Sequence, residues 1–196
     1  MMSWHTVQGV AGLGAGVLSL AAFVPYTIST IRKPTTRPNR ATWWIWSLVG
    51  VLIAFGNYSE GVRSGIWLPL SYIIGPTVLA IVSLRHGEGG WTRLDRFCLL
   101  GAVASVVFWV LTRDPLGALL INILIDALGA LPTIKKSYKN PEAEDPIFWY
   151  LAFGATILNL FAVERFSFSH LVYPIYMFLL MGTVSWFELR PVLRRG

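Results

Sequence analysis

The chain has 196 residues, of which 55% are hydrophobic and only 13% charged. A soluble domain is roughly a quarter charged, and a disordered chain combines low hydrophobicity with high charge, so both classes are excluded. The net charge of +6 falls between long apolar runs, which is a pattern of membrane topology rather than of a nucleic-acid-binding face.

A hydrocarbon core of about 30 Å takes roughly 20 mostly apolar helical residues. Runs of this kind occupy 7–31, 41–58, 66–84, 96–112, 116–134, 147–163 and 170–187. The expectation is an all-α integral membrane protein with seven transmembrane helices. No Lys or Arg precedes the first run and its apolar stretch is long, so it reads as a retained helix and not a cleaved signal. Its Gly12 and Gly16 form a small-xxx-small pair, the pattern of close helix contact. Trp43, Trp44 and Trp46 open the second run and Trp149 opens the sixth. Such positions suit the interfacial aromatic belt; the sharper reading puts Trp44 and Trp149 in a central cavity. The fourth run carries little polarity beyond Cys98, Ser105 and Thr112, as suits a linker helix.

Lys and Arg set the orientation. Alternate loops across seven crossings place thirteen of the sixteen on one side, in 32–40, 85–96, 135–139 and 190–195; Arg63, Arg113 and Arg165 lie on the other. The N-terminus is therefore expected outside and the C-terminus in the cytoplasm of a cell or inner membrane.

The two ends of the chain share their spacing. Pro25 and Pro34 are nine residues apart, as are Pro132 and Pro141. Basic residues follow both first prolines, Arg32-Lys33 and Lys135-Lys136. Trp44 precedes Pro69 by 25 residues and Trp149 precedes Pro174 by 25; Leu84-Arg85 and Leu189-Arg190 keep equal distances from those prolines. Helices 1–3 and 5–7 thus read as two copies of a three-helix unit, over 1–86 and 114–196. A linker helix in 87–113 restores the same orientation. Parallel repeats of this kind occur in transporters, with substrate near mid-membrane between them.

On these features the sequence resembles the PQ-loop superfamily, which includes SWEET sugar facilitators, cystinosin-like exporters and the KDEL receptor. The features are the 3+1+3 count and a proline near the cytoplasmic end of helices 1 and 5, each before a basic loop. They read Pro25-Tyr26-Thr27 through Pro34 and Pro132-Thr133-Ile134 through Pro141. Tyr26 and Thr133 stand where the naming glutamine would. The resemblance implies transport of a small solute by rocking of two three-helix bundles. The KDEL receptor shows the alternative, a membrane receptor or lipid- or peptide-binding protein that does not transport.

Asp126 lies deep in the fifth run. A carboxylate there is costly, about 2.5–3.5 kcal/mol on insertion scales, so it should face the bundle interior or a water-filled cavity. Asn122, Asp126, Gly129 and Thr133 follow helical spacing and are expected on one face. Asp126 is the candidate for proton coupling or for pairing with a cationic solute; the plain alternative is a protonated carboxyl bonded to Asn122 or a neighbouring helix. Pro25 and Pro132 each remove a backbone donor and kink their helices, as hinges for alternating access or as static kinks. Tyr26, Trp44, Asn57, Asn122, Asp126, Thr133, Trp149 and Asn159 make up the expected substrate pathway. Tyr72, Tyr150, Tyr173 and Tyr176 could join it.

His5, His86 and His170 are far apart without metal-ligand spacing, the single cysteine permits no internal disulfide, and no nucleophile–base pattern occurs. No enzyme activity, metal or cofactor is expected. The expected partners are a small-molecule solute and membrane lipid, with no nucleic acid. Oligomeric state stays open, including a homo-oligomer.

Overall fold

The computed structural model describes residues 3–141 and 144–193; Arg194 and Arg195, counted above, lie outside the described residues. Seven α-helices follow in order: α1 (Trp4–Arg32), α2 (Arg40–Ser59), α3 (Trp67–His86), α4 (Arg93–Thr112), α5 (Pro115–Lys139), α6 (Pro146–Phe161) and α7 (Phe168–Leu193). They coincide with the seven apolar runs.

The helix starts are written locally. Ser3 and Asn39 accept from the backbone N–H three residues on, at Thr6 and Thr42. Thr92 and Asp95 form a reciprocal capping box on α4. Asp114 and Asp145 cap α5 and α6, each followed by proline in the first turn. Side-chain caps of this kind satisfy orphan N–H groups, and proline suits the first turn because its missing donor is one of those orphans. Pro25, Pro76 and Pro132 lie inside α1, α3 and α5, which continue through them.

Among the described residues, six helical segments are long and apolar enough to cross a membrane. The seventh, α6, has 16 residues, about 24 Å at 1.5 Å per residue, and so is short for a span. Its ends nonetheless touch opposite ends of the bundle. Glu144, just before it, bonds Tyr26 and Lys136; Val163, just after it, accepts from Gln8 near the start of α1.

Six helices close a ring in the order α1–α3–α2–α5–α7–α6 and back to α1. Within α1–α3 the third helix packs between the first two, and within α5–α7 it does so again. Helix α4 stands outside, against α5 and α2. Leu100 and Leu111 of α4 are 69% and 77% exposed, as a lipid-facing surface requires.

Apolar burial does not drive helices together when the solvent is itself hydrocarbon, so close packing of small residues takes over. A Cβ on Gly12 would stand 1.8 Å from the Ser64 carbonyl oxygen, and one on Gly16 would stand 2.7 Å from Trp67 Cβ. The expected small-residue face of α1 is thus buried where the chain enters α3.

Candidate functional site

The ring interior has three levels. At mid-depth, the Tyr176 hydroxyl of α7 donates to Asp126 Oδ2 of α5 at 2.6 Å. Asp126 is buried, 7% exposed. Tyr72 of α3 and Tyr173 of α7 are buried in the same core. The indole N–H of Trp46 donates to the Asp126 carbonyl at 3.4 Å, and the Trp46 and Trp149 rings lie 6.4 Å apart. A single acid is therefore set among aromatic side chains from α2, α3, α6 and α7. No Lys or Arg is among its described hydrogen-bond or ion-pair partners.

Towards the end bearing most of the basic residues, an aromatic plug fills the ring. Tyr26 stacks on Phe148 at 5.0 Å and meets Trp43 at 5.3 Å; Trp43 meets Trp46 and Phe148 meets Trp149 edge-on. Beyond the plug lies a polar lock. The Tyr26 hydroxyl donates to Glu144 Oε2 at 2.5 Å, and the Ser29 hydroxyl donates to Asp145. Lys136 Nζ sits 2.6 Å from Glu144 Oε1 and 3.4 Å from Glu88, and donates to the Arg37 carbonyl at 2.5 Å. One lysine thus ties α5 to the loops before α2, α4 and α6. The Glu144 side chain is 1% exposed, and a carboxylate so buried needs such partners.

The other end closes differently. Gln8 Nε2 donates to the Val163 carbonyl at 2.8 Å. Glu164 accepts from the Arg63 N–H, the Ser64 N–H and the Ser64 hydroxyl at 3.0, 2.9 and 2.7 Å. Partial burial pushes the Glu164 carboxyl up, but these bonds to Ser64 and Arg63 outweigh it and hold it below the usual carboxylate value. Inside this half, both polar atoms of Asn159 and the Gln8 Oε1 are buried with no partner among the described residues. An unsatisfied buried polar atom costs about 1–3 kcal/mol.

The expected pathway residues divide. Tyr26, Asp126, Trp149 and Asn159 line the interior, and Trp149 is fully buried with its indole nitrogen unpartnered among the described residues. Thr133 is buried below Asp126 on α5. Asn122, expected beside Asp126, turns to α4 and accepts from the Ser105 hydroxyl at 3.0 Å. Four residues rotate a helix by about 40° beyond a full turn, enough for neighbouring helices to claim the two side chains. Asn57 is buried but donates to its own helix at Ile53. Trp44 is only half-buried, whereas Trp43 and Trp46 are buried. The belt reading of Trp43, Trp46 and Trp149 therefore gives way: the ring has room inside for the indoles, and helical spacing turns these three inward.

Glu144 and Lys136 lie outside the pathway expected from the sequence, yet they form the centre of the lock. The signal available was an acidic pair, Glu144-Asp145, inside otherwise basic loops. No protein-family model, curated protein or solved structure matches the chain.

Proposed function

We propose that this integral membrane protein transports a small polar solute by alternating access between two three-helix bundles, α1–α3 and α5–α7, with α4 as linker and α6 as the seventh crossing. The observation that carries the reading is Asp126, a buried acid bonded to Tyr176 between two closed ends of a six-helix ring. A carboxyl in the membrane is expensive, and such groups mark solute or proton pathways. The like packing order of the two triples and the shared sequence spacing support a two-bundle mechanism, and so does the resemblance to the PQ-loop superfamily. The thirteen-to-three distribution of Lys and Arg supports an outside N-terminus and a cytoplasmic basic end.

In this mechanism Asp126 and Tyr176 hold the solute or a coupling proton at mid-depth. Opening to the basic end parts Tyr26 from Glu144, releases Lys136 and withdraws the Trp43–Phe148 plug. Opening to the other end separates Gln8 from Val163 and Glu164 from Ser64. Pro25 and Pro132 are the hinges on either side of the lock.

Reconstitution in liposomes tests this. Substrates are first found by thermal stabilisation against sugars, amino acids, amines, nucleosides and vitamins; a ligand at a hundredfold excess over Kd adds about 2.7 kcal/mol. Asp126→Asn should abolish accumulation driven by a pH gradient and leave exchange. Unchanged accumulation refutes the role of Asp126, and a solute that binds but never crosses points to a receptor.

A further inference from the structure

The outer, lipid-facing seam between α1 and α3 carries two recesses of opposite character. At the basic end, a recess of about 410 Å³ lies among the end of α1, the loop after it and the end of α3. Its lining includes Arg32, Lys33, Arg37, Arg85 and His86. Among the described residues, none of these four Lys and Arg side chains forms an ion pair. Arg37 Nε donates to the Pro34 carbonyl at 3.0 Å. The neighbouring acid, Glu88, is engaged by Lys136. Thr30, also in the lining, is 3% exposed, and its hydroxyl has no hydrogen-bond partner among the described residues. Among the described residues, one lining thus holds an unpaired buried hydroxyl and four cations without an ion pair, which fits an anion that supplies acceptor oxygens.

Deeper along the same seam, an apolar recess of about 310 Å³ is lined by Leu20, Val24, Ile28, Ile74 and Val78. From Ile28 to Leu20 the helix rises about 12 Å, near the depth of one leaflet, half of a core of about 30 Å. A free phosphate ion could use the basic recess but has no use for the groove below it. An amphiphile fills both.

We propose that the α1–α3 seam is a binding site for an anionic phospholipid of the leaflet at the basic end. Its phosphate is held by Arg32, Arg85 and the Thr30 hydroxyl, and one acyl chain lies along Leu20–Ile28. Guanidinium groups match phosphate oxygens with paired, charge-assisted hydrogen bonds. The site is independent of the transport reading.

The test uses the full chain in neutral detergent, with water-soluble dioctanoyl phosphatidylglycerol, dioctanoyl phosphatidylcholine and inorganic phosphate as probes. The anionic lipid should bind saturably and at least ~10-fold more tightly than the zwitterionic one. The double variant R32Q/R85Q should weaken it at least ~10-fold. K135Q/K139Q removes equal charge at the same end but outside the recess, and should change it less than ~2-fold. Thr30→Val alters no charge and should still weaken binding by ~3-fold or more; it decides the matter should R32Q/R85Q fail to fold. Equal weakening by the two double variants means diffuse attraction and overturns the proposal. So does equal binding of the two lipids, or inorganic phosphate binding as tightly as the anionic lipid.

Discussion

The two ends of the ring are closed by different physics. At the basic end the closure is made of side chains: Lys136 between Glu144 and Glu88, Tyr26 on Glu144 and Ser29 on Asp145. At the other end it is made largely of backbone. Gly12 lies against the Ser64 carbonyl, Gln8 binds the Val163 carbonyl, and Glu164 gathers the N–H groups of Arg63 and Ser64. Side-chain bonds can be exchanged for water or solute as long chains change rotamer. Backbone contacts built on glycine move only when whole helices move. In the proposed cycle the basic end is therefore the gate that opens by rearranging partners, and the other end opens by rigid-body tilt.

The sharpest way to break this contrast is at Gly12. Gly12→Ala forces a methyl into backbone, and overpacking of this kind costs about 3 kcal/mol or more. Gly9→Ala on the same helix meets nothing within 4 Å and should leave stability unchanged or slightly raised. Reversible unfolding in bicelles measures both, and equal effects would mean that the close approach at Gly12 does not matter.

The side-chain closure should give a large but different effect. Lys136→Met leaves Glu144 buried with only the Tyr26 hydroxyl, a loss of about 3 kcal/mol on the scale of broken buried pairs. Adding Glu144→Gln removes the stranded charge and should recover part of that loss. Additivity of the two changes in a double-mutant cycle would show that the pair is not coupled.

A mid-depth change ranks next. Tyr176→Phe deletes the donor to Asp126 and should lower stability by about 1.5 kcal/mol. In liposomes it should also move the pH dependence of uptake. An unmoved profile with lowered stability would assign the bond to structure alone.

The smallest effect belongs to Glu164. Its carboxyl is held below the ordinary value of 4.5, so its ionised form favours the folded state. That contribution is complete above the unfolded value and fades as pH falls through the lower folded one. The stability advantage of wild type over Glu164→Gln should therefore shrink on acidification from ~pH 6 to ~pH 3. An advantage that grew on acidification would contradict the hydrogen bonding at this end.

Much of the architecture was legible along the chain. Apolar run length located all seven helices, because hydrocarbon demands internally bonded segments of a set length. Cap residues such as Asp114-Pro115 and Asp145-Pro146 mark where two of them begin. Asp126 stood out because a carboxyl in an apolar run has few bland explanations. Asn122 keeps its helical spacing from Asp126, but its side-chain oxygen accepts from Ser105 of α4, a partner that spacing along α5 does not reveal. The tryptophans at the helix starts misled in the same way: their position along the helix is interfacial, but their azimuth is inward.

By itself the sequence determined an all-helical chain with long apolar spans, the crowding of basic residues into alternate loops, and a lone acid at depth. These are one-dimensional properties, set by local hydrogen bonding, hydrophobicity and charge. Only the tertiary structure decided that Tyr176 meets Asp126, that Glu144 meets Tyr26 and Lys136, and that Trp46 rather than Trp44 faces Trp149. Partners on different helices and loops are chosen by which helices become neighbours and how each is rotated, and the closed order of the ring settles both.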